Sequence, residues 1–145
     1  MTPEDARSAL EKYRSGELSL EEALHFFQAA PVVEFDFAKV DTHRALRKGF
    51  PEVIFGSGKT PEQVVKIAEA ILTQDKQLLV TRITAVHAGV LRERFPQAVH
   101  HEAARCVTIE LAERARQEGA IAVLAAGTSD LPVAEEAAVT AAVMG

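Results

Sequence analysis

Apolar side chains over residues 1–31 recur every three to four positions, the period of an amphipathic helix. Ala6, Ala9, Leu10 and Tyr13 make one stripe, with Thr2 placed to cap it, Pro3 at its first position and Gly16 to stop it. Leu20, Ala23, Leu24 and Phe27 make a second, preceded by Leu18 as a staple and by Ser19 and Glu22 as a capping box, and ended by Pro31. The spacing predicts a helical hairpin over 1–31, with a stripe so narrow that it must pack on the domain that follows.

From Phe35 the period changes. Asp41 can cap a short helix carrying Arg44, Leu46, Arg47 and Lys48, closed by Gly49 and Pro51. Glu52 to Phe55 reads as a strand and Gly56-Ser57-Gly58 as a turn. Thr60, Pro61 and Gln63 open a helix whose inner face is Val64, Ile67, Ala68, Ile71 and Leu72. Leu78 to Ile83 is a β-branched run, and Thr84 to Phe95 a helix with Val86, Val90 and Leu91 inward. Ala98 to His101 and Arg105 to Ile109 are two further strands, and the charged stretch Leu111 to Glu118 is compatible with a helix. This alternation predicts an α/β fold: a hairpin, then a small, mostly parallel sheet carrying helices.

Gly119 marks the predicted boundary between a domain over residues 1–118 and a second unit over 119–145. The run Ala120 to Ala126 has no polar face, as expected of a strand buried on both sides of a parallel sheet. The turn Gly127-Thr128-Ser129-Asp130 follows, and a helix runs from Leu131 toward Met144. One strand and one helix do not make a domain. The second unit is therefore expected to be truncated, or its strand to borrow an edge from the preceding sheet or from another copy of the chain.

Composition narrows the classes of function. At 145 residues, 48% hydrophobic and 26% charged, the chain can bury one ordinary core. Its longest apolar run is too short to span a bilayer and its N-terminus is acidic, so the expectation is a cytoplasmic protein without a membrane partner. A net charge of -5 argues against nucleic acid as a partner. The single cysteine, Cys106, cannot form an internal disulfide, and its apolar neighbours suggest an inert thiol.

The turn Gly127, Thr128, Ser129, Asp130 is the most informative local feature. A tight turn between a buried strand and a helix aims backbone N–H groups, two hydroxyls and a positive dipole end at one point, which suits a phosphate. Simple helix capping by Ser129 or Asp130 is the alternative. Glu135 and Glu136 diverge by about 100 degrees on the helix, so they cannot share one site. Asp41, Arg44, Arg47 and Lys48 form the best cation cluster, able to clamp a carboxylate or phosphate or else simply to face water. Gly56-Ser57-Gly58-Lys59-Thr60 is not a Walker A loop, because Val53 stands where the first glycine should. Lys59 can still reach a ligand held by other elements. His100 and His101 point to opposite faces of a strand and cannot chelate one metal together, and no metal site is expected.

Two stretches carry a resemblance. Residues 41–64, from Asp41-Thr42-His43-Arg44 through Pro51-Glu52-Val53-Ile54-Phe55-Gly56-Ser57-Gly58-Lys59-Thr60 to Val64, resemble the signature of the LarB family of pyridinium biscarboxylic acid mononucleotide synthases. Residues 125–137, Ala-Ala-Gly-Thr-Ser-Asp-Leu-Pro-Val-Ala-Glu-Glu-Ala, look like the start of that family's carboxylase-like domain. That domain is similar to the flavodoxin-like PurE class of aminoimidazole ribonucleotide carboxylases, whose nucleotide phosphate sits on a Gly-Ser-x-Ser-Asp turn.

The resemblance implies a carboxylase and hydrolase acting on nicotinic acid adenine dinucleotide, releasing AMP and a ring-carboxylated mononucleotide that leads to a nickel-pincer cofactor. Carbon dioxide or bicarbonate would be the co-substrate, with no tightly bound cofactor and magnesium a possible auxiliary ion. By the resemblance Gly127, Thr128, Ser129 and Asp130 would hold the ribose phosphate, and Asp130 and Glu135 are the candidate catalytic carboxylates. Asp41, Arg44, Arg47, Glu52 and Lys59 would form a substrate-contacting cluster. The family's nucleophilic thiol comes late in the carboxylase-like domain and Cys106 does not match it, so this polypeptide alone is expected to be inactive. A homo-oligomer is expected. An aminoimidazole ribonucleotide carboxylase relative and a non-catalytic nucleotide-binding regulatory module are the alternative functions.

Overall fold

A computed structural model describes residues 3–28, 32–41, 44–45, 50, 52–112 and 119–145. Helices α1 (Pro3–Ser15) and α2 (Leu20–Gln28) make the expected hairpin, turned at Gly16, whose φ of 81° lies in the left-handed region. The capping box at α2 forms: the Ser19 amide donates to Glu22 Oε2 at 2.8 Å and the Glu22 amide to Ser19 Oγ at 3.2 Å. Those bonds from Ser19 hold the exposed Glu22 carboxyl below its ordinary range. Ala6, Ala9 and Ala23 are buried, whereas Leu10, Tyr13, Leu20 and Leu24 remain exposed. The expected burial of the whole stripe is thus confined to its small residues.

Strands β1 (Val32–Phe35) and β2 (Ala38–Asp41) form an antiparallel hairpin that the sequence reading missed. Its two-residue loop, Asp36-Phe37, lacks the glycine or asparagine that would signal such a turn, and Phe37 instead stacks on Phe35 with centroids 5.3 Å apart. Asp41 consequently ends a strand. Arg44 and Ala45 are helical just beyond it, while the rest of that short predicted helix, Arg47 included, lies outside the described residues.

The main sheet has the order β3-β4-β6-β5, formed by β3 (Val53–Phe55), β4 (Gln77–Thr81), β5 (Val99–His101) and β6 (Cys106–Glu110). It belongs to the α/β class but is mixed rather than mostly parallel. β3 and β4 are parallel, joined by the crossover helix α3 (Pro61–Leu72). β6 runs antiparallel to both β4 and β5. The reason is the length of the β5–β6 connection: Glu102 to Arg105 can close a hairpin, whereas a parallel return needs a dozen residues or more.

The sheet is covered on both faces. Residues of β4 alternate, so Leu78 and Val80 meet Ile67, Ile71 and Leu91 on one side, while Leu79 meets Cys106, Ala104 and Val143 on the other. The first face is covered by α3 and by α4 (Ala85–Arg94). α3 begins as expected, with the Thr60 amide donating to Gln63 Oε1 at 2.9 Å and the Gln63 amide to Thr60 Oγ1 at 3.3 Å. α4 departs from expectation. His87, Ala88 and Leu91 are its buried residues and Val86 is exposed, because His87 is anchored by partners outside the helix.

The second face is covered by α5 (Leu131–Met144), through Val143, Val139 and Met144. α5 runs antiparallel to β4: the Gln77 side chain at the amino end of β4 donates to the Val143 carbonyl at 2.9 Å, and Arg82 beyond its carboxyl end reaches Glu136. The predicted strand over 120–126 does not form. Residues 119–126 pair with no strand among the described residues, and Ile121 and Leu124 are exposed to 73% and 92%. An apolar sequence does not become a strand without a neighbour to complete its backbone hydrogen bonds. Of the charged stretch 111–118, residues 113–118 lie outside the described residues.

Candidate functional site at the carboxyl edge of the sheet

Because β3 and β4 are parallel, their carboxyl ends emerge side by side, the position at which open α/β sheets present ligand-binding loops. Three loops meet there. The first is Gly56–Thr60, whose Gly56 amide donates to the Thr81 carbonyl at 2.8 Å. A Cβ on Gly56 would lie 2.6 Å from Ile83 Cγ2 and 3.0 Å from the Thr81 carbonyl oxygen, so only glycine lets the two strand ends approach this closely. The second loop follows β4 at Arg82, and the third is the turn Glu102–Arg105 before β6. The Ile83 amide donates to the Arg105 carbonyl at 3.0 Å and joins the last two.

Lys59 bends back so that its Nζ donates to the Phe55 carbonyl at 2.7 Å. The loop is pinned from below by His87, buried at 8% exposure, whose Nε2 lies 2.9 Å from the Lys59 carbonyl and whose Nδ1 lies 2.8 Å from Thr84 Oγ1. A carbonyl only accepts, so Nε2 carries the hydrogen and Nδ1 receives the Thr84 hydroxyl. His87 was not singled out in the sequence, since its partner on the loop is 28 positions away.

Arg82 and Arg105 have φ values of 55° and 51°, the non-glycine residues with positive φ among those described. An arginine in the left-handed region is strained by roughly 1–2 kcal/mol. Arg82 Nε lies 2.7 Å from Glu136 Oε2 and 3.1 Å from Oε1, tying the loop to α5. Cys106 sits beneath, fully buried, with Sγ donating to the Ala104 carbonyl at 3.1 Å. Burial, reinforced by the Glu136 carboxylate, pushes its thiol up to about 11 despite the nearby arginines. It is no nucleophile at neutral pH.

α5 carries the turn Gly127–Asp130 to the same edge. Six residues separate Asp130 from Glu136, so the turn stands about 9 Å further along the helix axis. All four turn residues are exposed. The Asp130 amide donates to the Gly127 carbonyl at 3.1 Å, but the Asp130 side chain makes no capping bond to α5. Glu135 is exposed, and of the adjacent carboxylates it is Glu136 that faces the sheet.

The other sequence candidates divide. Arg44 Nη1 lies 3.7 Å from Glu52 Oε1, its guanidinium stacks 5.3 Å from the Phe50 ring centroid, and its buried Nε has no hydrogen-bond partner among the described residues. This pair precedes the amino end of β3, whereas Lys59 lies past its carboxyl end, so the two sit at opposite ends of one strand. Asp41 closes β2. Among the described residues, no group of three or more His, Cys, Asp or Glu side chains is placed to hold a metal, and no helix is long and apolar enough to cross a membrane.

An uncharacterized protein of Methanocaldococcus jannaschii is 27% identical over 150 residues, which cover 96% of this chain and 57% of the archaeal protein. The chain thus spans little more than half the length of that relative. Residues 32–113, more than half of the chain and the whole of the mixed sheet, match the LarB/PurE-like N-terminal domain. Hairpin β1–β2, crossover β3–α3–β4 and hairpin β5–β6 all lie inside the match, and the chain belongs to the LarB/PurE-like N-terminal domain family.

Proposed function

We propose that this chain serves a carboxylase and hydrolase that adds a carboxyl group to the ring of nicotinic acid adenine dinucleotide and cleaves its phosphoanhydride, a step toward a nickel-pincer nucleotide cofactor. The observation that carries the reading is the turn Gly127–Asp130, exposed at the head of α5 with no side-chain cap from Asp130. Pro132 has no N–H and the Val133 and Ala134 amides donate to the Asp130 carbonyl, so the donors suited to a ribose phosphate are the Thr128, Ser129 and Leu131 amides with the Thr128 and Ser129 hydroxyls, while the Asp130 carboxylate suits a ribose hydroxyl. Membership in a LarB/PurE-like, carboxylase-type family supports the same reading.

The chemistry asked of the enzyme is specific. A pyridinium carbon is electron-poor and cannot attack carbon dioxide, so a thiolate first adds to the ring and makes it an enamine-like nucleophile. After carboxylation, loss of the ring proton to a base and departure of the thiolate restore aromaticity. Cys106 cannot supply that thiolate, because it is buried and protonated. The thiolate belongs to another part of the enzyme, and this chain's part is to bind and orient, with bicarbonate or carbon dioxide as co-substrate and magnesium an optional aid.

The test is to incubate the enzyme containing this chain with nicotinic acid adenine dinucleotide and bicarbonate, with aminoimidazole ribonucleotide in parallel. AMP release with a ring-carboxylated mononucleotide is expected. Turnover of aminoimidazole ribonucleotide alone would move the protein to purine chemistry, and binding without turnover would make it a regulatory module.

A further inference from the structure

We propose that Arg82 and Arg105 form an oxyanion site of their own at the carboxyl edge of the sheet, separate from the Gly127–Asp130 turn, that grips a phosphate or carboxylate group between two guanidinium forks. The site does not depend on the nucleotide reading of that turn.

Four observations meet here. Both arginines occupy left-handed backbone that glycine or asparagine would adopt at lower cost, so a reason for keeping long cationic side chains there must lie in the side chains. Their two loops are joined by the bond from the Ile83 amide to the Arg105 carbonyl, which keeps the two residues side by side. Arg82 is gripped only through Nε by Glu136, and among the described residues no hydrogen bond engages its terminal nitrogens, which leaves the end fork preorganised for an oxyanion. Arg105 is exposed and, among the described residues, pairs with no carboxylate.

The surrounding charges fit a receptor rather than a closed ion pair. Lys59 stands on the neighbouring loop with its ammonium held by a neutral carbonyl, so it adds positive potential. Glu136 neutralises part of Arg82, and Glu102 begins the Arg105 turn as a second, exposed carboxylate. Partial neutralisation of Arg82 through Nε, with the Arg82 side chain partly exposed and Arg105 exposed, holds the fork in place while leaving it attractive to an anion.

The experiment is a titration of the 145-residue chain with inorganic phosphate and, separately, with nicotinate as an aromatic carboxylate, followed through the arginine Nε–H resonances by NMR. Saturable shifts at Arg82 and Arg105 are expected, and the stronger of the two probes identifies the natural group. Arg105→Gly should weaken that binding about tenfold or more while keeping or raising thermal stability, since glycine accepts φ near 51° without strain. Arg105→Lys should bind with intermediate strength. Ser129→Ala should leave these shifts intact, which separates this site from the phosphate turn. Unmoved arginine resonances at saturating probe, or binding unchanged in Arg105→Gly, would overturn the proposal.

Discussion

Arg82 Nε lies 2.7 Å from Glu136 Oε2, and this contact joins the end of β4 to the middle of α5 across 54 positions of sequence. With Gln77 holding Val143 at the other end, it fixes the direction of α5 and so places the Gly127–Asp130 turn over the same edge as Lys59 and Arg105. The Glu136 side chain is about one-fifth exposed and that of Arg82 about one-third, so the pair is partly screened. Glu136→Gln should cost about 1 kcal/mol and raise hydrogen exchange in the first turns of α5 while leaving that of β4 unchanged. Equal protection of α5 in both proteins would remove the pair from any anchoring role.

Cys106 supplies a second outcome. Its thiol is buried and titrates near 11, so a disulfide reagent at pH 8 should leave the folded chain unlabelled and react with one equivalent once urea unfolds it. Rapid labelling of the native protein would show that the second face of the sheet opens, and that α5 is not firmly seated.

Asp75 is buried at 2% exposure, with its Oδ2 lacking any hydrogen-bond partner among the described residues. Burial raises its carboxyl to about 6 from 3.8, with the Asp5 carboxylate a lesser contributor. A carboxyl that binds its proton more tightly when folded favours the native state below about pH 4, and this advantage is lost as pH rises through 6. Stability should therefore fall across pH 4 to 6 by up to about 3 kcal/mol from this group. Asp75→Asn should be more stable than the parent at pH 7.5 and nearly equal to it at pH 4, as read from urea midpoints. A parent whose stability rises from pH 4 to 6 while Asp75→Asn stays flat would contradict this sign.

Gly56→Ala should destabilise by about 1–3 kcal/mol, because the new methyl must displace Ile83 and the Thr81 carbonyl cannot yield without breaking the β3–β4 approach. Thermal melts compare it with Gly58→Ala, where nothing lies within 4 Å and the cost comes from the φ of 79° alone. A melt unchanged at position 56 would show that the strand ends are looser than described.

What could be read from the chain was whatever its neighbours in sequence decide. Thr60, Pro61 and Gln63 announce α3 because capping is local, and its period-3.6 face is the face that is buried. The inward face of α4 was misread, since His87 is drawn in by a carbonyl on another loop while Val86, more apolar, stays outside. The β-branched run suggested a strand to Ile83, but Arg82 turns left-handed and ends it at Thr81. Arg82 and Arg105 could not be linked from their positions alone, for the hairpin that brings them together depends on β6 inserting between β4 and β5. The turn at Gly127–Asp130 was legible as a turn because its residues are local turn formers, whereas the strand expected before it requires a partner that no described segment provides.

The central claim is that the donors at the head of α5 hold a nucleotide's phosphate. The most direct measurement follows the backbone amide resonances of residues 127–131 during titration with nicotinic acid mononucleotide. Saturable shifts confined to these amides and weakened about tenfold by Ser129→Ala are the expected result. Amides that stay in place at millimolar nucleotide, with Ser129→Ala indistinguishable from the parent, would contradict it.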